Sequence, residues 1–456
     1  MIFSSLTFIF VFLPIFLLAY FIAPSKIKNI VLLAFSLLFY SWGEPIYILL
    51  LLLSSVVDFS NGYFINKFKA DKRKKKFFLI LSIIINLSLL AIFKYSNFII
   101  SNLNIFGIKI TGFNIMLPLG ISFFTFQTMS YSIDVYRGNI KYEKNFINFM
   151  TYVCMFPQLV AGPIVRYSDI SKELQKREHS FKNFSEGIFR FLTGLFKKVL
   201  IANYMGLIFD LIAKNTSSIS LATAWIGAIC YTFQIFFDFS GYSDMAIGLG
   251  KMLGFNYPEN FNYPYISKSI TEFWRRWHIT LSVWFKDYVY IPLGGNRVSK
   301  KRHIFNLFLV WFLTGLWHGA SWNFVIWGLY FFVLLILEKY LFSKIKIPNF
   351  LAHIITLFLI IISWVIFAFD DLNVLTTYLG KMFVNKSIVD NSTIFFLKNY
   401  IILFIVAIIC STPIIKKLKP KKYFKPLIVV VYLFLFIITI ASLVSDSYNP
   451  FLYFRF

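Results

Sequence analysis

The chain is expected to be an all-α protein that crosses a membrane many times, and three features of its sequence say so. Apolar runs recur from end to end, and a helix needs roughly 20 such residues to span a bilayer. Hydrophobic residues make up 58% and charged residues only 14%, whereas an ordinary soluble chain carries about 25% charged residues. The basic residues are gathered in blocks between the apolar runs. Backbone exposed to lipid must satisfy its own hydrogen bonds, so the spanning elements are read as helices.

The elements follow in chain order. Leu6–Ile22 has no basic stretch before it and no small-residue cleavage site after it, and Lys26 and Lys28 follow. It reads as a retained helix and not as a signal peptide. Ile30–Trp42, Ile46–Ile65 and Phe77–Ile100 come next, the last two separated by Lys67, Lys69, Lys72, Arg73, Lys74, Lys75 and Lys76. Met116–Ile133, Phe149–Pro163, Ile188–Ile212 and Ala222–Phe239 continue the series. Beyond a polar middle lie Ile304–Leu316, Phe324–Leu341 and Leu351–Phe369, then Asp370–Lys398, a polar stretch expected to be an external loop. Ile401–Cys410 and Leu427–Val444 close the series around a block of Lys416, Lys417, Lys419, Lys421, Lys422 and Lys425. Roughly ten to thirteen elements result, several too short to cross alone. With no repeat, linker or soluble domain in view, residues 1–456 read as one transmembrane domain.

Lys and Arg number 45 against 20 Asp and Glu, a formal charge of +25. A nucleic-acid binder can look like this, but blocks between apolar runs fit the positive-inside rule and an anionic leaflet better. The expected partner of that charge is the lipid bilayer and not nucleic acid. With both blocks cytoplasmic, the span count puts the N-terminus and the C-terminal tail outside. Cys154, Cys230 and Cys410 lie in or near apolar segments without paired spacing, which points to neither a disulfide framework nor a metal site.

Between Phe239 and Arg302 the texture changes. Gly, Tyr, Pro and charge crowd into Asp238–Asp244, Tyr257–Pro264, Phe273–His278 and Tyr290–Arg297. Backbone broken at membrane depth is tolerated where protein buries it or where it lines a wet cavity. Re-entrant or interfacial helices around a site are expected here.

His318 is the leading candidate for chemistry. It stands in Leu316-Trp317-His318-Gly319-Ala320-Ser321-Trp322, between two apolar runs, and an ionisable residue at that depth is a functional-site candidate by default. Imidazole titrates near neutrality and suits proton removal from a hydroxyl that attacks an activated acyl group. The bland alternative is a hydrogen bond to a neighbouring helix, worth on the order of 1 kcal/mol. His278 is the second candidate; if its segment is helical, Trp274 and His278 share a face at i, i+4, as do Thr271 and Arg275. Arg275 and Arg276 are candidates for donor phosphates, or they anchor the cytoplasmic edge. Asp238 and Asp244 read as internal partners that order the broken segment, with Trp317 and Asn323 as further support around His318. No metal-ligand spacing, nucleophile elbow or phosphate-binding Gly-Lys-Ser/Thr loop occurs.

Taken together, Asp238–Asp244 (DFSGYSD), Phe273–Ser282 (FWRRWHITLS), Tyr290–Arg297 (YIPLGGNR) and Leu316–Trp322 (LWHGASW) resemble the membrane-bound O-acyltransferase family. The opening Met1–Ser5 and Pro157–Ile164 are similar to its bacterial branch of alginate O-acetylases and peptidoglycan or wall-polymer O-acetyltransferases. The resemblance implies a ring of about 11 transmembrane helices around a central funnel, with His318 catalytic and His278 the branch's second histidine. It implies no bound cofactor: acetyl-coenzyme A, or another acyl thioester, is the donor substrate. The acceptor is a polysaccharide or cell-wall polymer outside the cytoplasmic membrane of a bacterium, reached with a secreted or membrane-anchored O-acyltransferase as partner. A D-alanyl-transferring relative of the branch takes its acyl group from a carrier protein, and that donor stays open.

The tail, Pro450–Phe456 within an external segment 445–456, resembles a Phe-x-Tyr-x-x-Phe signature of such acylation systems. This makes Tyr453 a candidate acyl relay, its alternative being an aromatic interface anchor. Two rival classes stay open. A polysaccharide-precursor transporter or flippase would show paired halves with matching interruptions, which this sequence lacks. A scaffold that recruits secreted enzymes would have no use for a histidine inside the membrane.

Overall fold

A computed structural model describes residues 1–112, 116–342, 345–417, 425–445, 448–450 and 452. Every regular element among the described residues is helical. Seven of these helices are long and apolar enough to cross a membrane. The chain divides into two compact units: Met1–Phe191 with Ser243–Glu259, and Leu192–Tyr242 with the described part of Asn260–Arg455.

The first unit is built around α1 (Ile48–Lys67), α2 (Lys72–Leu90) and α3 (Ile121–Arg137). α2 starts where it does because Asp71 caps it, accepting from the Arg73 and Lys74 amides at 3.0 and 3.1 Å. Through a π-helical turn, Ala91–Tyr95, it runs on into Ser96–Ile105, a candidate span of 34 residues. A Cβ on Gly62 of α1 would stand 2.7 Å from the Tyr131 ring of α3, so these helices pack through a missing side chain. Asp58, fully buried on α1, accepts from Asn86 on α2 and Ser132 on α3 at 2.7 Å each, and from Ser82. The apolar run Phe149–Pro163 resolves into two short helices, Phe146–Cys154 and Phe156–Leu159.

The second unit holds the rest. A π-helical turn, Lys197–Ala202, leads into α4 (Asn203–Ala213). α5 (Leu221–Met252) passes from this unit into the first. Two short helices, α6 (Ile270–Arg276) and α7 (Ile279–Phe285), precede the pair α8 (Lys300–His318) and α9 (Trp322–Tyr340). α10 (Asn349–Ala368), α11 (Leu372–Phe383), α12 (Asn391–Cys410) and α13 (Lys425–Ser445) complete it.

α8 and α9 cross at two glycines. A Cβ on Gly328 would lie 3.1 Å from the Gly315 Cα and would overlap the Trp311 carbonyl. Close approach of this kind is how helices associate where lipid removes the hydrophobic drive between them. The turn between them is equally tight, since a Cβ on Gly319 would run into the Phe324 ring.

Two expectations need correction. Asp238–Asp244 is not a broken segment but the middle of the continuous helix α5. Gly241 is there for packing: its Cβ would meet the Gly194 carbonyl at 2.7 Å and the Lys198 amide at 3.2 Å. Asp370–Lys398 is not a plain loop either, because α11 and the start of α12 lie inside it. Asp371 and Asp390 cap those helices, and Leu375, Tyr378 and Met382 give α11 a buried face.

Candidate active site

The site grows from the short helices of the second unit. Ser269 caps α6, its hydroxyl accepting from the Glu272 amide at 3.0 Å. The next two free amides, of Ile270 and Thr271, donate to the Glu338 carboxylate of α9 at 2.7 and 3.2 Å. This uses the affinity of a helix N-terminus for negative charge to fix α6 against α9. α6 stops at Arg276, and His278 then adopts the left-handed conformation, φ 41° and ψ 55°, before α7 begins. A non-glycine residue held there costs about 1–2 kcal/mol, and such strain clusters at functional sites. The kink overturns the expected i, i+4 face: Trp274 lies in α6, whereas His278 lies outside it, at the cap of α7.

The strain is held by Asn260. Its carbonyl accepts from the Ile279 amide at 3.0 Å, and the Asn262 amide donates to the Arg276 carbonyl at 2.9 Å. The Asn260 side-chain oxygen accepts from Thr280, through its amide at 3.4 Å and its hydroxyl at 2.9 Å. The same oxygen lies 3.0 Å from His278 Nδ1. Because a backbone N–H can only donate, that atom is the amide oxygen, so Nδ1 carries the ring proton and Nε2 the lone pair. His278 is fully buried, and Nε2 has no hydrogen-bond partner among the described residues.

Aromatic rings join the two histidines. Phe239 meets the His278 ring edge-on, centroids 4.6 Å apart. The Trp317 indole lies 5.8 Å from His278 and 5.1 Å from His318. His318, 2% exposed, ends α8 and is walled by Trp327 at 4.9 Å and Phe367 at 5.3 Å. Asn323 fixes the Phe367 wall, donating to its carbonyl at 3.1 Å. His278, His318, Trp317 and Asn323 are thus brought into one region.

Below His318, Leu307, Val310, Trp311 and Thr314 of α8 line a cavity of about 170 Å³ with Trp274 and Lys286. Positions 307, 311, 314 and 318 fall on one helical face, and His318 lies one turn, about 6 Å, beyond Thr314. Trp274 packs on Trp311 at 4.7 Å and Phe331 at 4.9 Å, so it is a wall of that cavity. The arginines go elsewhere. Arg275 is exposed. Arg276 is held by Glu272 at 2.9 Å and by the Asn262 carbonyl at 3.1 Å, beside an open cavity of about 390 Å³ shared with Lys416 and Lys417.

The two aspartates also separate. Asp244 takes Arg190 Nε at 2.7 Å, an arginine that also grips Glu259. Asp238 pairs with Lys198 Nζ at 2.7 Å, both side chains at most 3% exposed. Onto this pair Pro450 and Leu452 are fastened. The Leu452 amide donates to Asp238 Oδ2 at 2.9 Å, and Lys198 donates to the Pro450 carbonyl. Tyr453 lies outside the described residues. Sequence reasoning missed Asn260 and Lys198. Lys198 was findable as a charge inside the run Ile188–Ile212, whereas nothing in its neighbours distinguishes Asn260.

The sequence model described as MBOAT, membrane-bound O-acyltransferase family, matches residues 37–378. A probable alginate O-acetylase of Pseudomonas aeruginosa is 43% identical over 392 residues, 84% of this chain and 75% of its own. A peptidoglycan O-acetyltransferase of Helicobacter pylori is 38% identical over 410 residues, 82% of this chain and 78% of its own. A teichoic acid D-alanyltransferase of Bacillus subtilis is 32% identical over 233 residues, 49% of this chain and 59% of its own.

Proposed function

The chain belongs to the membrane-bound O-acyltransferase family, and on that footing we propose that it carries an acetyl group across a bacterial cytoplasmic membrane to a polysaccharide or wall polymer outside. It is a multi-pass membrane O-acyltransferase; the donor, the route and the residues are what the proposal adds. The donor is a cytoplasmic thioester, acetyl-coenzyme A. The acetylases named above match over four-fifths of this chain and the D-alanyltransferase over about half, which favours acetyl over D-alanyl.

The observation that carries the reading is the position of His318 on the face of α8 that lines the cavity, one turn beyond the lining residue Thr314. α8 begins with Lys300, Lys301 and Arg302, and His303 near its start is 2.7 Å from Tyr340 at the end of α9. The positive-inside rule makes that end cytoplasmic. His318 then stands fifteen residues, about 22 Å, further across, one turn beyond Thr314, and the proposed path of the thioester arm runs along the cavity to reach it. This orientation is consistent with both termini lying outside.

In the proposed step His318 takes the proton of an attacking hydroxyl as its oxygen bonds to the acyl carbon. The carbon–sulfur bond breaks, the thiolate leaves, and the imidazolium returns a proton to it. His278, with its proton committed to Asn260, keeps a lone pair in the same aromatic chamber and holds the imidazoles and Trp317 in register. The first acceptor is the Tyr453 phenol. Its support is that the residue just before it, Leu452, is tied to Asp238, next to the Phe239 that touches His278. A secreted transferase with a serine nucleophile then moves the group to the polymer. Arg276 with Lys416 and Lys417 offers cationic contacts for the donor's phosphates.

Membranes carrying His318→Ala, supplied with radiolabelled acetyl-coenzyme A, should transfer at least 100-fold less acetyl than wild type. Mass spectrometry of the wild-type tail, with the secreted partner omitted, should find acetyl on Tyr453. Undiminished transfer by the His318 variant would refute the base, and an unmodified tail would refute the relay.

A further inference from the structure

The Lys198–Asp238 pair is a buried charge pair with no role in the acyl step as written. It sits in the second unit, 3% and 2% exposed, at an N···O distance of 2.7 Å. Buried pairs are costly unless their remaining lone pairs and protons are satisfied. Here the fillers are the backbone of the chain's own end: Asp238 Oδ2 takes the Leu452 amide at 2.9 Å, and the ammonium donates to the Pro450 carbonyl. Those two backbone groups flank a single residue. Proline has no N–H to misplace, so position 450 presents only the acceptor that Lys198 needs.

The local structure is built to bring the pair together. Lys198 lies in the π-helical turn Lys197–Ala202, a widened turn frequent at functional sites. Asp238 and Gly241 share a face of α5, and the bare Gly241 lets the Lys198 amide come within the reach of one missing Cβ. Further along, Tyr448 donates to Asp210 at 2.6 Å and Asn203 donates to the Asn449 side chain at 3.2 Å. The order along the tail, 448 to 452, thus runs from Asp210 back through Asn203 to Lys198 and Asp238. Asp238 lies near the middle of the 32-residue helix α5, so the described residues 448–450 and 452 run back along α4 to it.

We propose that Lys198 and Asp238 form a peptide-docking site whose ligand is the Pro450 carbonyl and the Leu452 amide, and that this site sets the point from which the residues after Leu452 are delivered. Recognition at the pair is independent of side chains, because it reads one carbonyl and one amide. Asp210 and Asn203 supply the register through Tyr448 and Asn449. An empty site would leave a desolvated carboxylate and ammonium each short of a partner, which favours a seated tail. Lys198 and Asp238 are positioning residues, not catalytic ones. Their bearing on acetyl transfer rests on the Tyr453 relay; the docking rests on the contacts alone.

Two variants of the full-length protein in detergent test it by hydrogen exchange of the C-terminal peptide that follows Ser445. Leu452→Pro deletes the amide that Asp238 holds and leaves the membrane helices untouched. The double replacement Lys198→Met, Asp238→Leu removes the pair for apolar groups of similar volume, a change buried pairs commonly tolerate. Both should speed exchange of the protected tail amides at least tenfold. Exchange within twofold of wild type in either variant overturns the docking site. A released tail with unchanged acetyl transfer upholds the site and refutes the relay instead.

Discussion

Gly328→Ala tests how far the chemistry depends on the α8–α9 crossing. The new Cβ would stand 3.1 Å from the Gly315 Cα and 3.2 Å from its amide nitrogen, and would overlap the Trp311 carbonyl. Carbon atoms rest about 3.5–4.0 Å apart, so the helices must part by roughly 0.5–1 Å. Alanine gains up to about 1 kcal/mol in helix propensity over glycine, but overpacking costs about 1–3 kcal/mol, and the second effect wins. The larger consequence is positional. His318 is three residues beyond Gly315 on the same helix and is walled by Trp327, the neighbour of Gly328. A misplacement of about 1 Å can cost on the order of 100-fold in rate. The initial rate of acetyl transfer in membranes, normalised to the amount of protein present, should therefore fall far more than stability does. A rate within twofold of wild type, at equal abundance, would refute the claim that the crossing sets the position of His318.

Two further outcomes follow from single side chains. Asn260→Leu leaves His278 Nδ1–H and the Thr280 hydroxyl buried without their acceptor, at a cost of about 1–3 kcal/mol per group; thermal unfolding in detergent should drop measurably and acetyl transfer at least tenfold. At the start of α12, partial burial pushes the Asp390 carboxyl up, but bonds from the Thr223 hydroxyl, the Thr393 and Ser220 amides and the Thr393 hydroxyl outweigh it and hold it well below the usual range. A depressed carboxyl stabilises the folded state fully above its unfolded value, about 3.9, and loses that contribution as pH falls below it. Asp390→Ala should cost about 1 kcal/mol as a lost cap at neutral pH, and the gap to wild type should close as melting is followed down from pH 4.

The fold class was legible because lipid leaves the sequence few choices. A run such as Ile401–Cys410 can only be a helix in hydrocarbon, and Asn391–Cys410 is one. Helix ends were harder. Asp371 and Asp390 read as part of a polar loop, yet each is a cap, and a carboxylate does either job with the same composition around it. Asp238–Asp244, with Gly241 at its centre, was expected to be broken because glycine, tyrosine and charge crowd into it. In α5 Gly241 is a contact surface, a fact decided by the helix packed against it and invisible along its own segment.

The candidate site divides along the same line. His318 and His278 were singled out because a polar group in an apolar setting declares itself locally. What fixes them did not, since Asn260 reaches His278 from eighteen residues away and Glu338 reaches Ile270 from sixty-eight. Lys198 and Asp238 show why. Each alone is an expensive charge at membrane depth, and the sequence gives no sign that they cancel. Together they form a neutral pair with two backbone-sized vacancies in their hydrogen bonding, and only the folded chain places Pro450 and Leu452 there. The candidate residues of such a protein stand out in its local composition, while their alignment is carried by long-range pairs that only folding brings together.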